Sequence, residues 1–246
     1  SMTGSGAGDN NTAVGYNTLN SNSANNNTAV GYQASFKNSF GIDSVSMGYN
    51  AAYNTTTGSC NVAIGAEALL ANDDGNNNVA IGCSALSTVT TLGDNTAVGA
   101  FALSLATGSS NLAIGAGAGQ AITTGDNNTL IGGWQGGGPL SDTCVISDGA
   151  GNIRLYINDF GAVSVDGSTF GNAGEVLTST GSATAPSWQP GGTLVGYTFA
   201  TLPAPVTGMC AYITDAAGPI TYAGVASGGG IITAKVFYDG SAWIYG

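Results

Sequence analysis

Asn61-Val62-Ala63-Ile64-Gly65 and, seventeen positions on, Asn78-Val79-Ala80-Ile81-Gly82 are two copies of one phrase. Other copies close on Gly15, Gly31, Gly48, Gly99, Gly115 and Gly132, so these glycines recur at steps of sixteen or seventeen. All but one of them are preceded four positions earlier by Asn, and Ser44 replaces it in the third copy. A fixed period of this length marks stacked structural units, none of which buries a core by itself.

Within a phrase, the residues three and one before the glycine share a strand face: Thr12/Val14, Val45/Met47, Val62/Ile64, Val79/Ile81, Thr96/Val98 and Leu112/Ile114. Their β-branched and apolar side chains suit a packed, pleated surface, and they are expected to form the thin internal core. The alternate face carries Asn, Ala and Gly. A second segment after the glycine, with Ala34, Ala51, Ala68, Ala85, Ala102 and Ala118 often followed by Leu, supplies the opposite wall, giving a coil of two strands and two turns. Turn chemistry fills the connections, as in Asn72-Asp73-Asp74-Gly75 and Thr124-Gly125-Asp126. Eight coils at the interstrand spacing of about 4.8 Å make a stack roughly 38 Å tall, and Asn at one place in every coil is expected to form a ladder.

The small column Ala13, Ala29, Ala63, Ala80, Ala97 and Ala113 admits two readings. It is either a face that symmetry mates approach closely, which makes it the interface of a closed cyclic assembly, or a set of residues that merely fit a narrow turn. On the first reading Ile81→Asp prevents folding, whereas Ala80→Trp leaves the coils intact and blocks assembly.

Composition agrees with an ordered all-β chain. The 41 glycines and 7% charged residues are unlike an ordinary globular enzyme, yet 43% apolar residues supply something to bury. Lys37, Arg154 and Lys235 oppose fourteen carboxylates, and the formal charge of −11 argues against nucleic acid and anionic lipid as partners. No apolar run is long enough to span a bilayer as a helix, and Ser1-Met2 reads as a cloning scar. Cys60, Cys83, Cys144 and Cys210 show no ligand or disulfide spacing and are expected as small buried thiols.

The Asn-Val-Ala-Ile-Gly phrases resemble the head repeats of trimeric autotransporter adhesins, the YadA-like family, over about residues 9 to 133. The resemblance implies a left-handed parallel β-roll (solenoid) assembled as a homotrimer, with Val and Ile inside each roll and the small residues near the threefold interface. The sixteen- and seventeen-residue coils are longer than is usual for that family. Residues 1–8 are read as tag scar and leader, and 9–138 as the β-roll.

Gly133-Trp134-Gln135-Gly136-Gly137-Gly138-Pro139 breaks the period, and Trp134 is expected to cover the end of the stack. Short alternating strands around Cys144–Ser147, Ile153–Ile157 and Ala162–Val165 make residues 139–192 a hairpin-rich connector and linker. Its segment from Gly174 to Gln189 resembles one common in phage tail-fibre and other virion proteins. Residues 193–246 read as a compact antiparallel β tip, and the phrases Thr201-Leu202-Pro203, Ile213-Thr214-Asp215 and Tyr238-Asp239-Gly240-Ser241-Ala242-Trp243 are similar to the terminal module of many phage tail fibres. In the aromatic-rich tip, Tyr238, Asp239 and Trp243 beside a turn are the candidate receptor contacts.

The chain has no His, which removes Ser-His-Asp, Cys-His and His-based metal sites. Asp73, Asp74, Asp94 and Asp126 in coil turns are the candidates for a carboxylate pair, although turn acids ordinarily fix turns or are solvated. No catalytic residue, metal or cofactor is assigned. The expected function is the structural and receptor-binding part of a phage tail fibre, located in the virion. Its expected partners are its own trimer mates, other virion proteins and a host-surface glycan or protein. The alternatives are a bacterial trimeric adhesin head at the cell surface and a polysaccharide depolymerase.

Overall fold

The computed structural model describes residues 8–173, 175–178, 186–190, 196–197, 210–216, 232–238 and 243–245. Eight three-residue strands follow the repeat: β1 Thr12–Val14, β2 Thr28–Val30, β3 Val45–Met47, β4 Val62–Ile64, β5 Val79–Ile81, β6 Thr96–Val98, β7 Leu112–Ile114 and β8 Thr129–Ile131. They pair in parallel and in register, so that Val62, Val79 and Thr96 stand one above another. The chain is therefore an all-β solenoid of about eight turns. The stack runs one rung further than the glycine period indicates. β9 (Cys144–Ser147) adds in parallel to β8, and antiparallel β10 (Ile153–Ile157) and β11 (Val163–Ser164) complete an eleven-stranded sheet.

Each coil contains one strand, not two. The second wall is built from left-handed residues at alternate positions, such as Glu67 (φ 58) and Leu69 (φ 55), or Ser84 (φ 53) and Leu86 (φ 49). Left-handed backbone costs an L-residue roughly 1–2 kcal/mol. The offset comes from hydrogen bonds between coils: the Leu69 N–H donates to Ala85 O (2.9 Å), and the Ser84 N–H donates to Ala66 O (2.9 Å). At the corner between the walls the phrase-ending glycine is obligatory. Gly82 has φ +133, and a Cβ there would lie 2.5 Å from the carbonyl of Gly99.

The two strand faces are the reverse of the sequence expectation. Ala29, Ala63, Ala80, Ala97 and Ala113 are fully enclosed within the single chain, and Ala13 is half-buried in the first rung. In the rungs that follow β3, the enclosed strand alanines meet Leu69, Leu86, Leu103 and the alanines of the second wall in one continuous core. The Val/Ile face points outward. The interior is too narrow for branched side chains on one wall once leucines from the other wall fill it, so the small residues face in.

The expected Asn ladder is present and lies inside. Oδ1 of Asn61 accepts the N–H of Asn78 (2.9 Å), Oδ1 of Asn78 that of Asn95 (3.1 Å), and Oδ1 of Asn95 that of Asn111 (3.1 Å). The amide nitrogens donate to turn carbonyls of the following coil, as Asn61 does to Gly75 (2.8 Å) and Asn95 to Gly108 (3.0 Å). Each amide thus satisfies groups that a buried turn would otherwise leave unpaired.

The chain divides into two compact units, the first covering residues 1–171 and 179–187 and the second 172–178 and 188–246. In the second part of the chain, β12 (Glu175–Thr178) pairs with β13 (Ser187–Pro190). A four-stranded sheet runs β14 (Gly196–Tyr197), β15 (Cys210–Ala216), β16 (Ile232–Tyr238) and β17 (Trp243–Tyr245). Its β15, β16 and β17 are antiparallel neighbours, whereas β14 joins β15 in parallel, so the sheet is mixed where a wholly antiparallel one was expected.

Candidate functional site

The outward face of the solenoid sheet is a strip of apolar side chains. Val14, Met47, Ile81, Ile114 and Ile131 are exposed, with Val30, Ile64 and Val98 half-buried between them, and Ile146 on β9 extends the row. A second, half-buried column of Thr28, Val45, Val62, Val79, Thr96, Leu112 and Thr129 lies beside it on the same face. Ile81 is 36% exposed and Met47 42%. Contiguous apolar area of this kind marks an interaction surface. It also corrects the assignment of the alanine column: Ala29, Ala63, Ala80, Ala97 and Ala113, enclosed in the lone chain, present nothing to a neighbouring subunit. Alternation in the sequence separates the two faces but does not say which one is enclosed.

Beyond the corner glycine the first three rungs widen the strip with aromatic rings. Tyr16 stacks on Tyr32 (centroids 5.5 Å apart) and Tyr32 on Tyr49 (5.4 Å), all three being exposed. The same position holds Ala66, Cys83, Ala100, Ala116 and Gly133 in later rungs, so the surface narrows along the stack. On the second wall Phe36 stacks on Tyr53 (5.1 Å), and the Lys37 ammonium lies 5.6 Å from the Tyr53 ring centroid. The period already aligns Tyr16, Tyr32 and Tyr49 after successive glycines, but that the rings stack on the outside depends on which strand face the fold encloses.

Tyr238 on β16 and Trp243 on β17 are register partners, which places two of the candidate receptor residues directly opposite each other. Asp239 lies outside the described residues. The turn acids are engaged individually by donors one coil away: Asp73 accepts the Thr56 hydroxyl, Asp94 the Asn77 amide (3.1 Å) and Asp126 the Ser109 N–H (2.6 Å). They act as clips between coils, and Asp74 is exposed. Among the described residues no group of three or more His, Cys, Asp or Glu side chains is placed to hold a metal.

The thiols differ from expectation. Cys60 and Cys83 are exposed and Cys144 is half-buried, all three free. Cys60 occupies a left-handed turn position (φ 58), and Cys83 follows the corner glycine, where side chains point away from the core.

Near the far end of the solenoid Trp134 packs against the buried core and meets Tyr156 edge-on (6.3 Å, 87°), but β9 adds a rung beyond its coil, so it does not close the stack by itself. Tyr156 in turn meets Phe170 (5.7 Å, 71°). The β9–β10 turn is closed by Asp148, whose carboxylate takes the Asn152 amide (3.1 Å) and the Arg154 guanidinium (2.6 Å). Those bonds, the Asn152 amide foremost, lower its pKa to about 2. In the β11 turn, bonds from Thr169, Ser168 and Ser164 likewise hold Asp166 well below the usual carboxylate range. No family model, curated protein or solved structure matches the chain, so its function is read from this geometry.

Proposed function

We propose that the chain is a structural, surface-attaching part of a phage tail fibre that works as a homotrimer of left-handed rolls, with the solenoid as a stiff spacer. The carrying observation is the uninterrupted Val/Ile strip on the outside of a rigid ladder. Six of its side chains, Val14, Met47, Ile81, Ile114, Ile131 and Ile146, retain 36–57% exposure. At about 1.5–3 kcal/mol for full burial of such a side chain, covering the six contributes roughly 4–8 kcal/mol per chain, a large term for an otherwise lightly charged surface. Copies of the same chain are the natural cover, because a closed cyclic assembly presents each strip to identical strips at matched rung spacing. The interface in this reading is the Val/Ile strip, with the tyrosine ladder at its rim, in place of the alanine column.

The attaching role is supported by the resemblance of the linker and terminal phrases to virion proteins and by the opposition of Tyr238 and Trp243 at one sheet edge. Light scattering tests assembly: a mass three times that of the 24.0 kDa chain is expected, and a monomer at micromolar concentration refutes it. Adhesion of the intact protein to candidate host cells tests attachment, and absence of adhesion across hosts counts against it.

A further inference from the structure

Between Trp134 and the β10–β11 region lies a cleft of about 530 Å³, within the size range of small-molecule sites. Trp134 and Tyr156 each use part of their surface on the solenoid core and line the cleft with the rest, joined by Phe170. Gly137 leaves its side of the cleft open, since a Cβ there would meet nothing within 4 Å. Apart from the polar edges of the Tyr156 and Trp134 rings, the polar lining is Asn158 and Asp159. Oδ1 of Asn158 already accepts the N–H groups of Phe160 (3.1 Å) and Ala162 (2.8 Å), which fixes the amide and leaves its Nδ2 as a donor. Asp159 is exposed and offers an acceptor.

From this juxtaposition we infer that the cleft binds a neutral mono- or disaccharide. A pyranose has apolar C–H faces that pack on aromatic rings and equatorial hydroxyls that both donate and accept, which matches three rings beside one amide donor and one carboxylate acceptor. Among the described residues no Lys or Arg lines the cleft, so an anionic ligand finds no counter-charge, and a wholly apolar one makes no use of the Asn158 donor. The site is distinct from the terminal aromatic segment and from the self-association strip, and it does not depend on the attachment reading.

Saturation-transfer NMR of the intact protein tests the inference with glucose, galactose, mannose, N-acetylglucosamine, maltose and lactose, and with sialic acid and choline as contrasts. At least one neutral sugar is expected to bind, and Phe170→Ala and Asp159→Ala are each expected to weaken it about tenfold or more with an unchanged thermal melt. The inference is overturned if no neutral sugar binds, if only sialic acid or choline does, or if both variants bind as the parent does. Should Phe170→Ala disturb folding, the exposed Asp159→Ala decides alone. Cell adhesion that survives both substitutions, with no sugar bound, removes the cleft and leaves the attachment reading standing; sugar binding without adhesion does the opposite.

Discussion

Replacing Asn95 by Ala removes one rung of the internal amide ladder and leaves its partners in place. Asn95 is fully buried; its Oδ1 accepts the Asn111 N–H (3.1 Å), and its Nδ2 donates to Gly108 O (3.0 Å). The alanine variant leaves a buried donor and a buried acceptor unpaired, at about 1–3 kcal/mol each, so the expected loss is roughly 2–6 kcal/mol. Asn95→Ser is the control, because the chain already contains it: Ser44 Oγ accepts the Asn61 N–H at 3.2 Å in the same ladder position. The serine keeps the acceptor and loses the amide's donor bonds to Gly108, Gly93 and Asn78; Gly93 O and Asn78 Oδ1 retain the Ser110 and Asn95 N–H groups, so its cost is expected near half that of alanine. Urea unfolding followed by far-UV circular dichroism at one fixed protein concentration measures both, since assembly makes the midpoint concentration-dependent. An alanine variant within about 0.5 kcal/mol of the parent, or a serine variant as damaged as alanine, refutes the ladder as a stabilising element.

The observed faces invert the effects expected from the sequence at neighbouring positions. Ala80→Trp, at a fully enclosed site, is expected to abolish folding, whereas Ile81→Asp leaves the circular dichroism spectrum intact and reduces the scattering mass to that of a monomer; a folded, assembled Ala80→Trp variant would sink this account. Ser44→Asn restores the regular ladder residue beside Gly58, and is expected to raise stability by about 1 kcal/mol in the same urea assay. Asp148, lowered to about 2, stabilises its turn fully above the unfolded carboxylate value near 4, and that contribution is lost as pH falls through about 2. A carboxyl NMR titration is expected to show the low midpoint and its upward shift in Arg154→Ala, and a midpoint near 4 in the parent contradicts the hydrogen-bond assignment.

The period itself was legible. Gly at every sixteenth or seventeenth position, with Asn four places before it, determined a parallel stack, the positions of β1 to β8 and the buried Asn ladder, because each of these is a local requirement repeated rung after rung; the second strand expected in each coil is absent. Also legible were the three strands after residue 143, whose alternation and turn residues are local as well. The aromatic cleft was not, because Trp134, Tyr156 and Phe170 are far apart in sequence and meet only after β9 to β11 fold against the last coil.

Which strand face lies inside was a tertiary decision. A period of two divides Val79 and Ile81 from Ala80 without ranking them, and hydrophobicity alone favours the larger pair for the interior. The second wall reverses that preference. Left-handed backbone at Leu69, Leu86 and Leu103 turns those leucines into the narrow interior, so the opposing strand has room only for alanine and its valines and isoleucines are left on the surface.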